Sequence, residues 1–384
     1  MKRLLVIILC SLFGLGLFFF WLIPHGVDRF QNAILQNGTG TSLPLHRELR
    51  VVDLHADTLL WDRDLLVRGA RGHVDLPRLQ EGNVALQVFS VVTKSPRGLN
   101  TEANSSATDN ISILAVAQRW PLGAWKSLLE RALYQADKLG RAIQDSEGQL
   151  RWIKTRKDLE MLLEDRKQNP GLVGALLALE GAHALEGSLS SLNLLEAAGF
   201  RLLAPTHMFD SEISGSQQGQ DKGGLSELGR AWVLEMNRRQ LIIDLAHASS
   251  RTITEVLVLS TRPVVVSHTG LNAVCPSNRN LSDEQIKGIA ASGGLIGIGY
   301  WDEAICGRDY HAVARSLRHL IEVGGVRVAA LGSDWDGFVT TVTDASGLAE
   351  LTKALVEEKF TEDEIRAVMG ENALRFLLEQ LPSP

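Results

Sequence analysis

Cysteine is scarce in this sequence: Cys10, Cys275 and Cys306 are the 3 in a chain of 384 residues. None forms a C-x-x-C pair, which argues against a structural zinc site made of thiolates. An excess of cationic residues is missing too. Lys and Arg number 39 against 45 Asp and Glu, for a formal net charge of -6. They are scattered rather than gathered in a stripe, so nothing electrostatic points to nucleic acid. There is no internal repeat and no low-complexity tract. With 45% hydrophobic and 22% charged residues, the composition is that of an ordinary globular protein. The length suits two average domains or one large α/β barrel.

Long apolar runs are also absent, with one exception. Leu4 to Ile23 is an apolar run broken only by Ser11, and about 20 such residues span a bilayer. The run exceeds the roughly 7–15 residues of a signal-peptide core, and no A-x-A cleavage site follows. Lys2 and Arg3 ahead of it favour a cytoplasmic N-terminus. Residues 1–24 are therefore expected to be a signal anchor that places the rest across the membrane, a cleaved signal being the other reading. Cys10 follows Ile7-Ile8-Leu9 and lacks the small residue that precedes a lipidated bacterial cysteine. No apolar tail follows Leu381-Pro382-Ser383-Pro384, so no C-terminal lipid anchor is expected. Residues 25–47, with Asn37-Gly38-Thr39-Gly40-Thr41-Ser42, read as a flexible tether. An exported location permits a disulfide between Cys275 and Cys306.

From residue 48 to 384 the sequence reads as one domain. Eight short, β-branched-rich runs stand out: Leu49–Leu54, Ala85–Val92, Leu172–Leu179, Arg201–Thr206, Gln240–Ala246, Pro263–Ser267, Gly294–Gly299 and Val326–Gly332. Segments of helical period separate most of them, such as Leu189–Ala198, Ser226–Arg238 and Asp283–Ala291. Strands alternating with helices imply a parallel sheet, and eight such units imply a closed (β/α)₈ barrel of the TIM type. The longest gap, about residues 95–170, opens on polar Ser95–Asn110. Helical patterns follow over Ile111–Arg119, Ala124–Gln144 and Asp158–Asn169, an expected helical excursion on the barrel rim.

The stretch VVDLHADTLLW, Val51 to Trp61, sets one histidine and two aspartates in an apolar run. Buried charge costs several kcal/mol unless it is paired or bound to a metal. The strand ends suggest the second. The first run ends in His55-Ala56-Asp57, the third in Glu180, the fourth in His207, the fifth in His247, the sixth in His268 and the eighth in Asp334. In a (β/α)₈ barrel such ends meet at one mouth. Residues two apart on a strand share a face, so His55 and Asp57 can reach one ion. Imidazoles with carboxylates form a zinc-type ligand set, manganese being the alternative. The set exceeds what one tetrahedral zinc needs, which implies two metals with a bridging carboxylate. Asp57 is either a ligand or a charged group beside the ligands on these grounds.

His73-Val74-Asp75 repeats the spacing, but Leu76-Pro77 after it resembles a helix start. Asp75 is thus expected to cap that helix and His73 to lie on the surface. His25, His46, His311 and His319 have no comparable setting. His183, three residues after Glu180, is expected either to support a ligand or to face substrate.

With these residues in hand, the chain resembles the membrane (renal-type) dipeptidases, and their bacterial branch in particular. The motifs DLHADT, ALEGAH, APTHMFDS, KGGLSELGR, IIDLAHAS, VVVSHTGLNAVCPSNRN and GSDWDG stand in the family's order between Val51 and Phe376. The resemblance implies a zinc metallopeptidase. It assigns His55 and Asp57 to one metal, Glu180 to a bridge, and His247 and His268 to the second metal. It decides for Asp57 as a ligand. It gives Asp334 the general acid/base role and leaves Asp336 as a supporting or structural group. His207 would polarise the scissile carbonyl, Arg279 would bind the substrate's terminal carboxylate, and Cys275 and Cys306 would form a disulfide. The chemistry implied is attack by a metal-bridging hydroxide on the peptide bond of a dipeptide, and the sequence leaves open whether a D-residue is accepted at its C-terminal position.

Two features depart from the family. The loop Tyr300–Ala304 aligns poorly, with Glu303 about where an animal member has tyrosine. The anchor also lies at the N-terminus rather than the C-terminus. Expected partners are a small peptide, the membrane and, in a homodimer, a second copy. The barrel would lie on the periplasmic side of the inner membrane in a bacterium. The nearest rival is another amide hydrolase of this fold, acting on β-lactams or N-acyl amino acids. A non-catalytic tethered binding protein fits poorly, because every assigned position is filled.

Overall fold

Hydrophobic strand runs interrupted by helices should wrap a parallel sheet around an apolar centre, and this chain does so. The structure, a computed structural model, describes residues 2–36, 38 and 43–383. The strands are β1 (Val51–Ala56), β2 (Val84–Val92), β3 (Leu150–Trp152), β4 (Val173–Glu180), β5 (Phe200–Leu203), β6 (Ile242–Ile243), β7 (Val265–Thr269), β8 (Leu295–Ile298) and β9 (Ala329–Leu331). All pairings between them are parallel, in the order β6-β5-β4-β2-β1-β9-β8-β7. A parallel bridge from Asp244, just past β6, to Val265 of β7 joins the two ends of that order. The result is the expected TIM-like barrel.

Each of the eight expected runs contains or overlaps one strand of the barrel. β3 is additional. On β4, β5 pairs only with Leu177–Leu179, and β3 pairs with Val173–Ala175 ahead of them. The excursion therefore contributes a short strand as well as the helices Ile111–Ala117, Leu128–Asp145 and Arg156–Asp165. Helix starts follow capping chemistry. Ser127, Thr155, Ser226 and Ser282 each accept a backbone N–H from the first turn through the side chain, satisfying a donor with no partner inside the helix.

One apolar cluster contains a residue from every strand of the path, including Leu54, Val88, Leu176, Leu202, Ile242, Val265, Leu295 and Ala330. Only the barrel interior can collect all of them. Leu374, Phe376 and Leu377 of the C-terminal helix Asn372–Gln380 join that cluster. Arg262, just ahead of β7, donates to the carbonyl of Gln380. That helix therefore plugs the end at which the strands begin, and leaves the other end for the site.

Lys2–Gln31 is one continuous 30-residue helix whose most apolar window is not buried at all. At 1.5 Å per residue it is long enough to cross a bilayer. Phe18–Leu22 widens to a π turn just ahead of Pro24, which cannot supply the N–H that a regular turn requires. The helix continues into the stretch expected as a tether, so residues 25–31 are helical. Ala33–Gln36 then pair with Thr341 and Val342 of the barrel. A polar composition did not prevent docking, because Asp28 and Asn32 find buried partners there. The rest of the expected tether up to Ser42 falls largely outside the described residues.

Candidate metal centre

The barrel mouth gathers the residues from the strand ends around one carboxylate. Glu180 ends β4, and its Oε1 lies 3.0 Å from His247 Nε2, 3.4 Å from His268 Nε2 and 3.6 Å from His55 Nε2. Its Oε2 lies 3.5 Å from His207 Nε2. His55 Nε2 is 3.5 Å from Asp57 Oδ1 and 3.9 Å from Asp334 Oδ1. Potential ligand atoms converge in three overlapping groups: His55-Asp57-Glu180, Glu180-His207-His247 and His55-His268-Asp334. All of these side chains are buried or nearly so.

Protein partners fix the imidazoles with one nitrogen inward. His247 Nδ1 sits 3.0 Å from Gln218 Oε1, so it carries the proton and leaves Nε2 bare. Ser267 Oγ lies between the Nδ1 atoms of His55 and His268, at 3.2 and 2.9 Å. Such partners orient ligands and set their basicity. Gln218 and Ser267 carried no sequence signal beyond, for Ser267, its place next to His268.

A cation fits this donor set. His55 Nε2, Asp57 Oδ1 and Glu180 Oε2 are buried without a hydrogen-bond partner in the protein. The Nε2 atoms of His247 and His268 face each other at 3.0 Å, where two lone pairs would repel unless a positive charge lay between or beside them. Burial of this many polar atoms is destabilising when they are unmatched. The mixture of imidazole and carboxylate suits zinc or manganese.

The electrostatics of the protein groups point the same way. Burial pushes His247 and His268 well below the ordinary imidazole value, helped by Arg279, which leaves them neutral and able to donate lone pairs. Burial would raise Glu180, but the neighbouring His207 and His55 outweigh it and hold the carboxyl well below its usual range. Asp334 goes the other way: burial, then the Asp57 and Glu180 charges, push it well above the carboxylate range despite His55. A cation held by this donor set would offset the Asp57 and Glu180 charges and draw Asp334 back toward its ionised form.

The backbone at the mouth is unusual. His247, Asp334, Asp336 and Phe338 all have positive φ, at 63°, 61°, 64° and 61°. Such conformations cost on the order of 1 kcal/mol or more each and cluster at functional sites. Gly337 sits among them. A Cβ there would collide with Asp334 Oδ1 and come within 3.0 Å of Asp57 Oδ2, so only glycine lets the two carboxylates approach.

Arg279 is 5% exposed and donates from Nη2 to the carbonyl of His268 at 2.9 Å, its guanidinium 5.9 Å from the Trp301 ring centre. It lies on the His268 side of the cluster. On the other side His183 packs against Phe209, with ring centres 4.9 Å apart, and its Nε2 meets Thr93 Oγ1 at 3.0 Å. Burial lowers its pKa to about 3, so it is neutral. It belongs to none of the converging groups.

Cys275 and Cys306 form a disulfide across 31 residues. Glu303 lines an open groove with Glu102 and Asn278, next to that disulfide. Asp75 caps the helix Leu76–Glu81, as expected, through a bond from the N–H of Arg78. His73 corrects the expectation of a surface residue. It is fully buried, its N–H donates to Asp336 Oδ1 at 2.8 Å, and its Nδ1 accepts from the N–H of Asp336 at 2.9 Å. The partner lies 263 residues away, beyond the reach of a local pattern. Asp336 itself is a structural anchor. Arg63 at 2.8 Å and Thr58 at 2.8 Å hold its carboxylate, and burial is outweighed so that it stays well below the usual range.

Known proteins resemble the chain over most of its length. The sequence model of the membrane dipeptidases, peptidase family M19, matches residues 41–381. The Aspergillus oryzae protein described as dipeptidase aclJ is 28% identical over 374 residues, 91% of this chain and 83% of that one. Among solved structures, a dipeptidase described as an M19 metallopeptidase is 27% identical with a TM-score of 0.72, covering 88% of this chain and 99% of the other. A Rhodobacter sphaeroides metallopeptidase, solved with a phosphinate mimic of the dipeptide L-Ala-D-Ala, is 26% identical with a TM-score of 0.71, covering 87% and 99%. The chain belongs to the membrane dipeptidase family, peptidase family M19, and is a metallodipeptidase, a hydrolase of peptide bonds.

Proposed function

We propose that this protein is a membrane-anchored, two-zinc dipeptidase that cleaves short peptides with a free terminal carboxylate, including those with a C-terminal D-residue. The observation that carries this reading is the Glu180 carboxylate, with Nε2 atoms of His55, His247 and His268 within 3.0–3.6 Å of one oxygen. Glu180 would bridge the ions, His55 and Asp57 would complete one site, and His247 and His268 the other. Bound there, two zinc ions would supply what the protein groups lack, an activated water near neutral pH and a positive charge for the carbonyl oxygen.

The chain's own groups do the rest. Asp334, 3.9 Å from His55, takes the proton of the attacking water and passes it to the leaving amine, the general base then acid sequence. His207, 3.5 Å from Glu180, turns its ring edge toward the scissile carbonyl and stabilises negative charge on its oxygen. Arg279 grips the terminal carboxylate by two parallel hydrogen bonds, which sets the distance from that carboxylate to the bond cut. His183 forms a neutral, substrate-facing wall beside Phe209. The L-Ala-D-Ala mimic held by the Rhodobacter relative supports the D-residue part of this reading.

The apolar N-terminal helix and the disulfide suit a barrel held outside the cytoplasm, on the periplasmic side in a bacterium. The test is metal analysis of the purified full chain combined with hydrolysis of L,L and L,D dipeptides before and after chelation. Zinc near two per chain, with activity lost on chelation and restored by zinc, is the expected result. Activity that survives complete metal removal overturns the proposal.

A further inference from the structure

The loop that carries Asp334 is held in part from outside the barrel. Asp334, Asp336 and Phe338 all have positive φ, and such a backbone persists only where its surroundings over-determine it. Residues 28–36, the last turn of the apolar helix and the stretch that leads from it to the barrel, supply much of that surrounding. Asn32 Oδ1 accepts the backbone N–H of Phe338 at 3.0 Å, and its Nδ2 donates to Asp28 Oδ1 at 3.0 Å. Asp28 Oδ2 in turn pairs with Arg71 at 2.6 Å and Arg63 at 3.3 Å. Arg63 continues to Asp336 Oδ1 at 2.8 Å.

A second line runs through His73. Because its Nδ1 accepts from the N–H of Asp336, its proton lies on Nε2, which donates to the carbonyl of Ala33 at 3.1 Å. Three backbone bonds extend the seam. Leu35 donates to Thr341, Thr341 to Ala33 and Gln36 to Val342, at 3.0, 3.0 and 2.9 Å. Asp28 and Asn32 are 1% and 3% exposed, so these are interior contacts. A mere tether would need none of them.

We propose that residues 28–36 are a positioning segment for the catalytic loop: the stretch leaving the membrane helix holds Ser333–Val342 in the conformation that aims Asp334 at the reaction. Asn32 and Asp28 are its positioning residues. They touch no reacting atom and act through the backbone of Phe338 and the side chain of Asp336. The reading of Asp334 as acid/base underlies this inference, but the loop's dependence on the segment is measurable without it.

The test uses the full chain in detergent, loaded with zinc, as wild type, Asn32→Ala, Asp28→Ala and Phe30→Ala. Phe30 belongs to the same segment but is 81% exposed, so its variant serves as the control. For the first two variants kcat on a free dipeptide should fall about tenfold or more, since small misplacements of reacting groups are costly. KM and zinc content should stay within about twofold. Backbone amides of residues 334–343 should exchange hydrogen about tenfold faster, with those of β4 unchanged. Phe30→Ala should change none of these.

Wild-type kcat and exchange in both variants would overturn the proposal. So would faster exchange throughout the barrel, or loss of zinc, which would mark a general structural role. If Asp28→Ala fails to fold, Asn32→Ala, which leaves the Asp28 ion pairs in place, carries the test. If the wild type cleaves no dipeptide, the proposed function fails separately, and hydrogen exchange alone decides the role of the segment.

Discussion

Glu180 is where the chemistry of single residues is most exposed to test. Its two oxygens face four imidazoles, so Glu180→Gln removes the charge that the two proposed metal positions would share. Zinc affinity should fall by at least about tenfold, in line with losses from disturbed ligand shells, as read by zinc content after dialysis. Asp334→Asn should behave differently. It should keep its zinc while kcat falls on the order of 10²–10⁴, the range for losing a general acid/base. Loss of metal together with activity would place Asp334 among the ligands instead. His46 offers a pH test away from the site. Burial lowers its pKa from 6.5 to about 4, partly offset by a backbone contact with Gly82, and its Nδ1 meets Thr352 Oγ1 at 2.8 Å. Between pH 6.5 and 4 the unfolded chain binds a proton that the folded chain refuses. Stability from this residue is therefore complete above about pH 6.5 and declines as pH falls through that window. His46→Gln should flatten the pH dependence of the urea midpoint by up to about one proton between pH 4.5 and 7, and an unchanged slope would contradict this.

Elements explain why so much of the site could be read from sequence. A strand end in a parallel barrel fixes direction and position together, so His55, Glu180, His207, His247, His268 and Asp334 announced a shared mouth before any distance was known. What stayed hidden depends on contacts between elements distant in sequence. Nothing around His73 indicates Asp336, and nothing in Ser211–Gly224 marks Gln218 as the partner of His247. The short strand Leu150–Trp152 was hidden as well. It exists because β5 leaves part of β4 unpaired, which is a matter of register rather than local pattern. The disulfide also belongs to this scale. It closes a loop of 31 residues, and chain-entropy reasoning gives such a bridge about 3–4 kcal/mol. Cys275→Ser with Cys306→Ser should lower stability by about that amount, measured by denaturant unfolding of the zinc-loaded chain. A change under about 0.5 kcal/mol would show that the neighbouring packing suffices.

At the scale of the molecule, the apolar helix and the barrel are joined at the loop that carries Asp334. Composition alone made residues 25–47 a loose tether, because Gly, Asn and Ser describe conformational freedom and not the partners that remove it. Asp28 and Asn32 are buried, and their partners lie in the loops after β1 and β9. The orientation proposed for the whole rests on Lys2 and Arg3 ahead of the apolar run. A reporter that is active only after export, fused after Pro384, should therefore be active, and a cytoplasmic signal would overturn the signal-anchor reading. The proposed dipeptidase activity is tested most directly by a substrate panel on the full chain in detergent. It compares free L,L and L,D dipeptides with C-terminally blocked dipeptides and tripeptides, after chelation and after zinc is restored. Free dipeptides alone should be cleaved, only with zinc, and Arg279→Ala should raise KM for them far more than it lowers kcat. Equal cleavage of blocked substrates, or no cleavage with two zinc ions bound, would contradict the proposal.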